Sequence, residues 1–194
     1  MPNTTSPAPA NTSTGAELPL LAIPQKRLLT VNESGIPLIR DTVAPGIHIQ
    51  VLRLDLEHNE WVVLVTFAPG TSLPLHYHTG PAEVYTLRGR WLYKEYSDQP
   101  QIAGSYLYEP GGSVHTLDVP ADNSEDTVLL VRVCGANINF DHDGQFHSIL
   151  DALTIRHLAE TLSAAQKLPA PHYIEHGEAD VSEIEGTRQT GEGI

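Results

Sequence analysis

The chain has 194 residues, enough for one domain with a substantial core but too few for a second catalytic domain. Its 24 acidic against 11 basic residues give a formal charge of -13, which argues against nucleic acid or an anionic membrane surface as partner, since both reward clustered Lys and Arg. Cys134 is the single cysteine, so an intrachain disulfide and a thiolate metal cluster are excluded and the histidines become the ligands to count.

Residues 1–17 are Pro, Ala, Asn, Thr and Ser with almost no large apolar groups, which predicts a disordered N-terminal tail. The same stretch lacks a basic region followed by an apolar one, and no later run reaches the roughly 18 apolar residues of a membrane span, so a cytoplasmic location is expected. From residue 18 to 167 short apolar runs alternate with turn residues, the pattern of an all-β, antiparallel single domain. Ile47, Ile49 and Val51 alternate with polar residues and Leu52, Leu54 and Leu56 continue in the opposite phase, which predicts a bulge near Val51 and Leu52. Trp61 to Phe67 is apolar on both faces, as in a central strand, and further strands are read at 83–88, 91–97, 105–109, 113–118 and 127–134. Leu150, Leu153, Leu158, Leu162 and Ala165 mark a helix over 150–165, expected outside the barrel. Residues 168–194 read as an acidic, loosely held tail.

Two segments carry the chemistry. In Gly70-Thr-Ser-Leu-Pro-Leu-His76-Tyr-His78-Thr-Gly-Pro-Ala-Glu83, two histidines at i and i+2 share one face of a strand and form half of a metal chelate. Gly104-Ser-Tyr-Leu-Tyr-Glu-Pro110-Gly-Gly112-Ser-Val-His115 delivers a third histidine from a strand and a Pro/Gly turn. Imidazole and carboxylate suit Fe, Mn, Zn, Ni and Cu, and three facial histidines on an octahedral ion leave room for a bidentate ligand and dioxygen. Glu83 reads either as a fourth ligand or as an acid turned to the rim. If it faces inward, Tyr85 and Leu87 do too, and a three-residue turn Arg88-Gly89-Arg90 pairs Glu83 with Glu95, Tyr85 with Tyr93 and Leu87 with Trp91. Glu83 and Glu95 are then candidate catalytic bases, and Tyr85, Trp91 and Tyr93 a candidate aromatic wall for substrate. The blander alternatives are a solvated Glu95, aromatic residues that only fill the barrel, a structural Glu109 and a buried, inert Cys134.

The two segments resemble the paired motifs of the cupin superfamily, small double-stranded β-helix (jelly-roll) barrels whose motifs converge on one metal. They depart from it in a gap from Glu83 to Gly89 one residue shorter than usual, and in Val119 where an Asn often stands. The stretch from Leu75 to Leu117 further resembles the 2,4'-dihydroxyacetophenone dioxygenase family, above all in His-Tyr-His-Thr-Gly-Pro, Tyr85-Thr-Leu-Arg-Gly89, Trp91-Leu-Tyr93-Lys-Glu95 and Ser-Val-His-Thr-Leu. That resemblance implies a homodimer with Fe(II) held by His76, His78 and His115, and cleavage of a C–C bond of an α-hydroxyketone by O2 to give two carboxylic acids. Glu83 or Glu95 would remove a proton from the chelated ketone. Zn, Mn or Ni are alternative metals. A β-diketone-cleaving dioxygenase, a metal-dependent lyase or isomerase, and a zinc-binding sensory cupin of the anti-sigma type are alternative functions.

Overall fold

The structure, a computed structural model, describes residues 9–11, 14–21 and 28–176. The chain divides into two units, Met1–Thr30 with Gly177–Ile194, and Val31–His176. In the first unit strands β1 (Pro9–Asn11) and β2 (Glu17–Leu21) pair antiparallel, within and just beyond the stretch that composition reads as a tail. The part of the acidic tail from Gly177 onward lies outside the described residues.

The second unit runs through strands β3 (Ile47–Asp55), β4 (Glu60–Phe67), β5 (His76–His78), β6 (Ala82–Arg88), β7 (Arg90–Tyr93) and β8 (Gln101–Ile102). It continues with β9 (Tyr106–Glu109), β10 (Val114–His115), β11 (Leu117–Asp118), β12 (Thr127–Cys134), β13 (Asn137–Phe140), β14 (Phe146–Leu150), helix α1 (Ala152–Ala165) and β15 (Ile174–Glu175). One sheet has six strands in the order β15-β3-β4-β12-β6-β9; opposite it lie a four-stranded sheet, β10-β5-β13-β14, and a three-stranded one, β11-β7-β8. All pairs in this unit are antiparallel except β15 on β3, so residues 174–175, expected in a loose tail, are held against the sheet edge. This is the antiparallel all-β architecture that the alternating pattern predicts, in the jelly-roll form that the cupin resemblance implies. No helix of the described residues is long and apolar enough to cross a membrane.

Inward side chains of the large sheet form the core: Ile47, Ile49 and Val51 from β3, Trp61, Val63 and Phe67 from β4, Leu129 and Val133 from β12. Between them and the opposite sheets lies an apolar cavity of about 80 Å³. The predicted bulge falls at Leu52, where the register of β3 on β4 slips between Val51 and Arg53 and lets Leu54 point inward after Val51.

Helix α1 starts at a capping box, Asp151 accepting from the Thr154 amide at 2.7 Å while the Thr154 hydroxyl answers the Asp151 amide. Its buried stripe is Ala152, Ile155, Ala159 and Ser163 rather than the predicted leucines, and Leu153 is exposed. The small residues allow close approach, and Ile155 reaches the cavity lining, so α1 closes the core instead of lying outside it.

The turn predicted to make a β6–β7 hairpin does something else. Strand β6 pairs with β12 and β9, whereas β7 pairs with β11 and β8. Gly89, at φ +80°, is the corner where the chain leaves one sheet for the other, and a Cβ there would lie 2.4 Å from Thr127 Oγ1.

Candidate metal centre

Strand β5 presents His76 and His78 inward on one face, and β10 lies beside it with His115 directly opposite His76. Each imidazole is only 3% exposed. The ring centroids stand 4.7 to 5.0 Å apart, and one ligand atom from each residue falls within 4.8 Å of the others. Pro74 O lies 2.9 Å from His76 Nδ1, so the proton sits on Nδ1 and the Nε2 lone pair is free. His78 Nε2 and His115 Nε2 are 3.1 Å apart. A metal–imidazole bond of about 2.1 Å places cis ligand atoms of an octahedral ion about 3 Å apart, which the His78–His115 pair matches. His78 Nδ1 and Oδ1 of its cross-strand neighbour Asn137 are buried without hydrogen-bond partners, a cost that native cores accept mainly at functional sites. Burial, reinforced by the other two imidazoles and only partly offset by Pro74, lowers the His76 pKa to about 4, which keeps it a neutral ligand near pH 7.

The carboxylate that meets this cluster is Glu109, at the end of β9 and 4% exposed. Its Oε2 lies 2.8 Å from His78 Nε2 and 3.3 Å from His115 Nε2. Its Oε1 accepts a short hydrogen bond from the Tyr93 hydroxyl, and the Tyr93 ring stacks on His115 with centroids 3.8 Å apart. Burial alone would raise the Glu109 pKa, but the hydrogen bonds from His115 and His78, the charge of His78 and the Tyr93 hydroxyl together hold it well below the usual carboxylate range. Burial, with the adjacent Glu109 charge, pushes the Tyr93 hydroxyl well above its ordinary value, so it remains a donor.

The other residues singled out in the sequence are not brought here. On β6 the inward residues are Ala82, Val84 and Thr86; Glu83 and Tyr85 point to the outer face, where Glu83 pairs with Arg132 at 3.0 Å. The phase of the strand is therefore opposite to the one that turned Glu83 inward. Glu95 lies in a short 3-10 turn, Lys94–Tyr96, exposed, and accepts from the Thr116 amide at 2.9 Å. With β6 and β7 in different sheets, Glu83 and Glu95 are not cross-strand neighbours. Trp91 is fully buried with its Nε1 donating to Thr86 Oγ1 at 2.9 Å, and it does not line the cavity; of the three aromatic residues expected to form a wall, only Tyr93 does. The remaining lining is largely aliphatic, including Ile47, Val63, Val84, Leu129 and Val131.

Sequence reasoning passed over Glu109 as structural. The signal was present in Tyr-Leu-Tyr-Glu: Leu107 packs against the core and Glu109 shares its phase, while Tyr106 and Tyr108 face out.

A jelly roll whose His-x-His strand and returning histidine strand converge on a buried three-imidazole cluster defines a cupin. Residues 38–136 match the model of the ChrR Cupin-like domain family, and the chain belongs to that family. It is similar to a protein of unknown function with a cupin-like fold from Ralstonia eutropha JMP134, at 38% identity over 79% of this chain and 94% of that one, with a TM-score of 0.74. An RmlC-like cupin protein from the same organism shares 23% identity, covering 77% of this chain and 94% of that one, at a TM-score of 0.70. The acetylacetone dioxygenase of Acinetobacter johnsonii shares the fold at 18% identity, covering 70% of this chain and 91% of that one, with a TM-score of 0.58. No curated protein matches the sequence.

Proposed function

We propose that the chain is a mononuclear non-haem Fe(II) dioxygenase that cleaves a C–C bond of an α-hydroxyketone, 2,4'-dihydroxyacetophenone being the type, into two carboxylic acids. One observation carries the reading: His76, His78 and His115 converge beside an internal apolar cavity, leaving the side away from the imidazoles for a chelating substrate. Bound there, Fe(II) supplies Lewis acidity toward a ketone held through two oxygens, and the redox chemistry with O2. The overall conversion balances without a reductant, since both atoms of O2 end in the two acids.

The protein's own residues do the rest. The three imidazoles approach from one side and fix the orientation of whatever occupies the other. Glu109, the carboxylate at the cluster, takes the proton-accepting part read earlier for Glu83 or Glu95, and Tyr93 holds it in place. The aliphatic lining receives the apolar substituent of the ketone and keeps water from the reacting carbons.

A β-diketone is the second reading, favoured by the small volume of the cavity, whose aromatic lining is Trp61, Phe67 and Tyr93. Metal analysis of anaerobically purified protein, with oxygen uptake measured on 2,4'-dihydroxyacetophenone and on acetylacetone, tests both. Iron with uptake on the first supports the main reading, and uptake on the second alone supports the alternative. Zinc with uptake on neither rejects dioxygenase function in favour of a zinc-binding sensory cupin.

A further inference from the structure

We propose that Glu109 is the carboxylate ligand of this metal site, supplied from β9 in place of an acid on β6. The inference rests on the three-histidine metal centre proposed above. After the His-x-His pair, the first inward position of the next strand is Ala82, 1% exposed and part of the cavity lining. A carboxylate arm carried by the first motif and aimed at the cluster would start there, and the chain has a methyl group instead. In the β6–β9 register, the residue directly opposite Ala82 is Glu109. Both residues line the same cavity from adjacent strands.

The ligand geometry agrees. Glu109 Oε2, His78 Nε2 and His115 Nε2 form a triangle with edges of 2.8, 3.3 and 3.1 Å, each near the spacing of neighbouring ligand atoms around one ion. The other oxygen is fixed by Tyr93, whose ring is itself stacked on His115, so the orientation of the carboxylate is set by the same side chains that set the histidine. With a ketone bound, Glu109 Oε2 would lie beside it as a proton acceptor. Ligation in the resting site and proton transfer in the substrate complex are therefore two roles of one oxygen.

The test loads full-length wild type, Glu109→Ala, Glu109→Gln and the double variant Ala82→Glu/Glu109→Ala with Co(II) under anaerobic conditions. Affinity is read by chelator competition, coordination by the visible ligand-field bands, and folding by circular dichroism. Glu109→Ala and Glu109→Gln are expected to bind at least about tenfold more weakly with altered bands. The double variant is expected to recover most of the loss, which a residue that merely positions His78 or His115 through a β9 contact would not. Unchanged affinity and bands in both single variants overturn the assignment, as does a folded double variant that binds no better than Glu109→Ala. If the double variant does not fold, the Glu109→Gln spectrum decides. Wild type that binds no Co(II) overturns the metal centre itself, a result distinct from the others.

Discussion

Removing one oxygen atom tests how the centre is held. In Tyr93→Phe the ring still stacks on His115 and still meets Trp91 edge-on at 5.0 Å, so the apolar burial is almost unchanged. What is lost is the hydroxyl that donates to Glu109 Oε1, and both residues are buried. A hydrogen bond to a charged acceptor contributes about 1.5–3 kcal/mol, so a loss of about 2 kcal/mol is expected. With a urea m-value of about 2 kcal/mol/M this moves the unfolding midpoint of metal-free protein down by about 1 M at unchanged m. Because the Tyr93 hydroxyl is pushed well above its ordinary pKa, the effect should be flat from pH 6 to 8. A midpoint shift below about 0.25 M, or one that varies strongly across that range, refutes the view that Tyr93 anchors the carboxylate.

Glu83→Gln and Glu95→Gln should leave Co(II) affinity within about twofold and stability within about 0.5 kcal/mol, because Glu83 belongs to a surface ion pair with Arg132 and Glu95 to an exposed turn; chelator competition and urea unfolding check both. Gly89→Ala should cost about 3 kcal/mol or more, since the new Cβ combines a positive φ with contacts of 2.4 Å to Thr127 Oγ1 and 2.7 Å to Thr127 Cα, whereas Gly104→Ala, at φ +90° in open space, should cost only about 1–2 kcal/mol in the same melts. Asp55 has its pKa lowered from 3.8 to about 2, first by the His58 amide, against the opposing effect of burial, with the His58 and His176 side chains adding to it. Its folded-state value lies below the unfolded one, so its stabilisation is complete above pH 4 and fades as pH falls toward 2. Asp55→Asn should therefore flatten the acid limb of the stability curve in that window; an acid limb identical to wild type refutes the assignment.

The strands at 83–88, 105–109 and 127–134, the bulge at Leu52 and the meeting of His76, His78 and His115 were legible because alternation and turn residues encode them, whereas the strand read over 91–97 stops at Tyr93 and that over 113–118 divides in two. The direction in which β6 faces was not. Its inward row is Ala82, Val84 and Thr86, while the outward row holds Glu83, Tyr85 and Leu87, continued on β9 by the exposed Tyr106 and Tyr108. Judged by side-chain size and apolarity the outer face looks more like a core than the inner one, and a period of two fixes which residues share a face without fixing which face is buried. The charge of Arg132, cross-strand to Glu83, was the one local clue to the correct phase.

The error in pairing has a different origin, and it explains why the acid of the site had to come from elsewhere. A short turn between two apolar runs usually makes a hairpin, but the central residue of Arg88-Gly89-Arg90 sits against Thr127, which has no exposed surface. Thr127 Oγ1 donates to the Arg90 carbonyl at 3.1 Å, which holds the chain at the start of β7 as it crosses to the opposite sheet. Once β7 has crossed, β6 must take its free-edge partner from β9, and the β9 residue opposite Ala82 is Glu109. The same crossing carries Tyr93 into the sheet with β11, from which its hydroxyl donates to that carboxylate. One glycine corner thus separates Glu83 from Glu95 and brings Glu109 and Tyr93 together, so the carboxylate of the site follows from the sheet exchange and not from the spacing of the first motif.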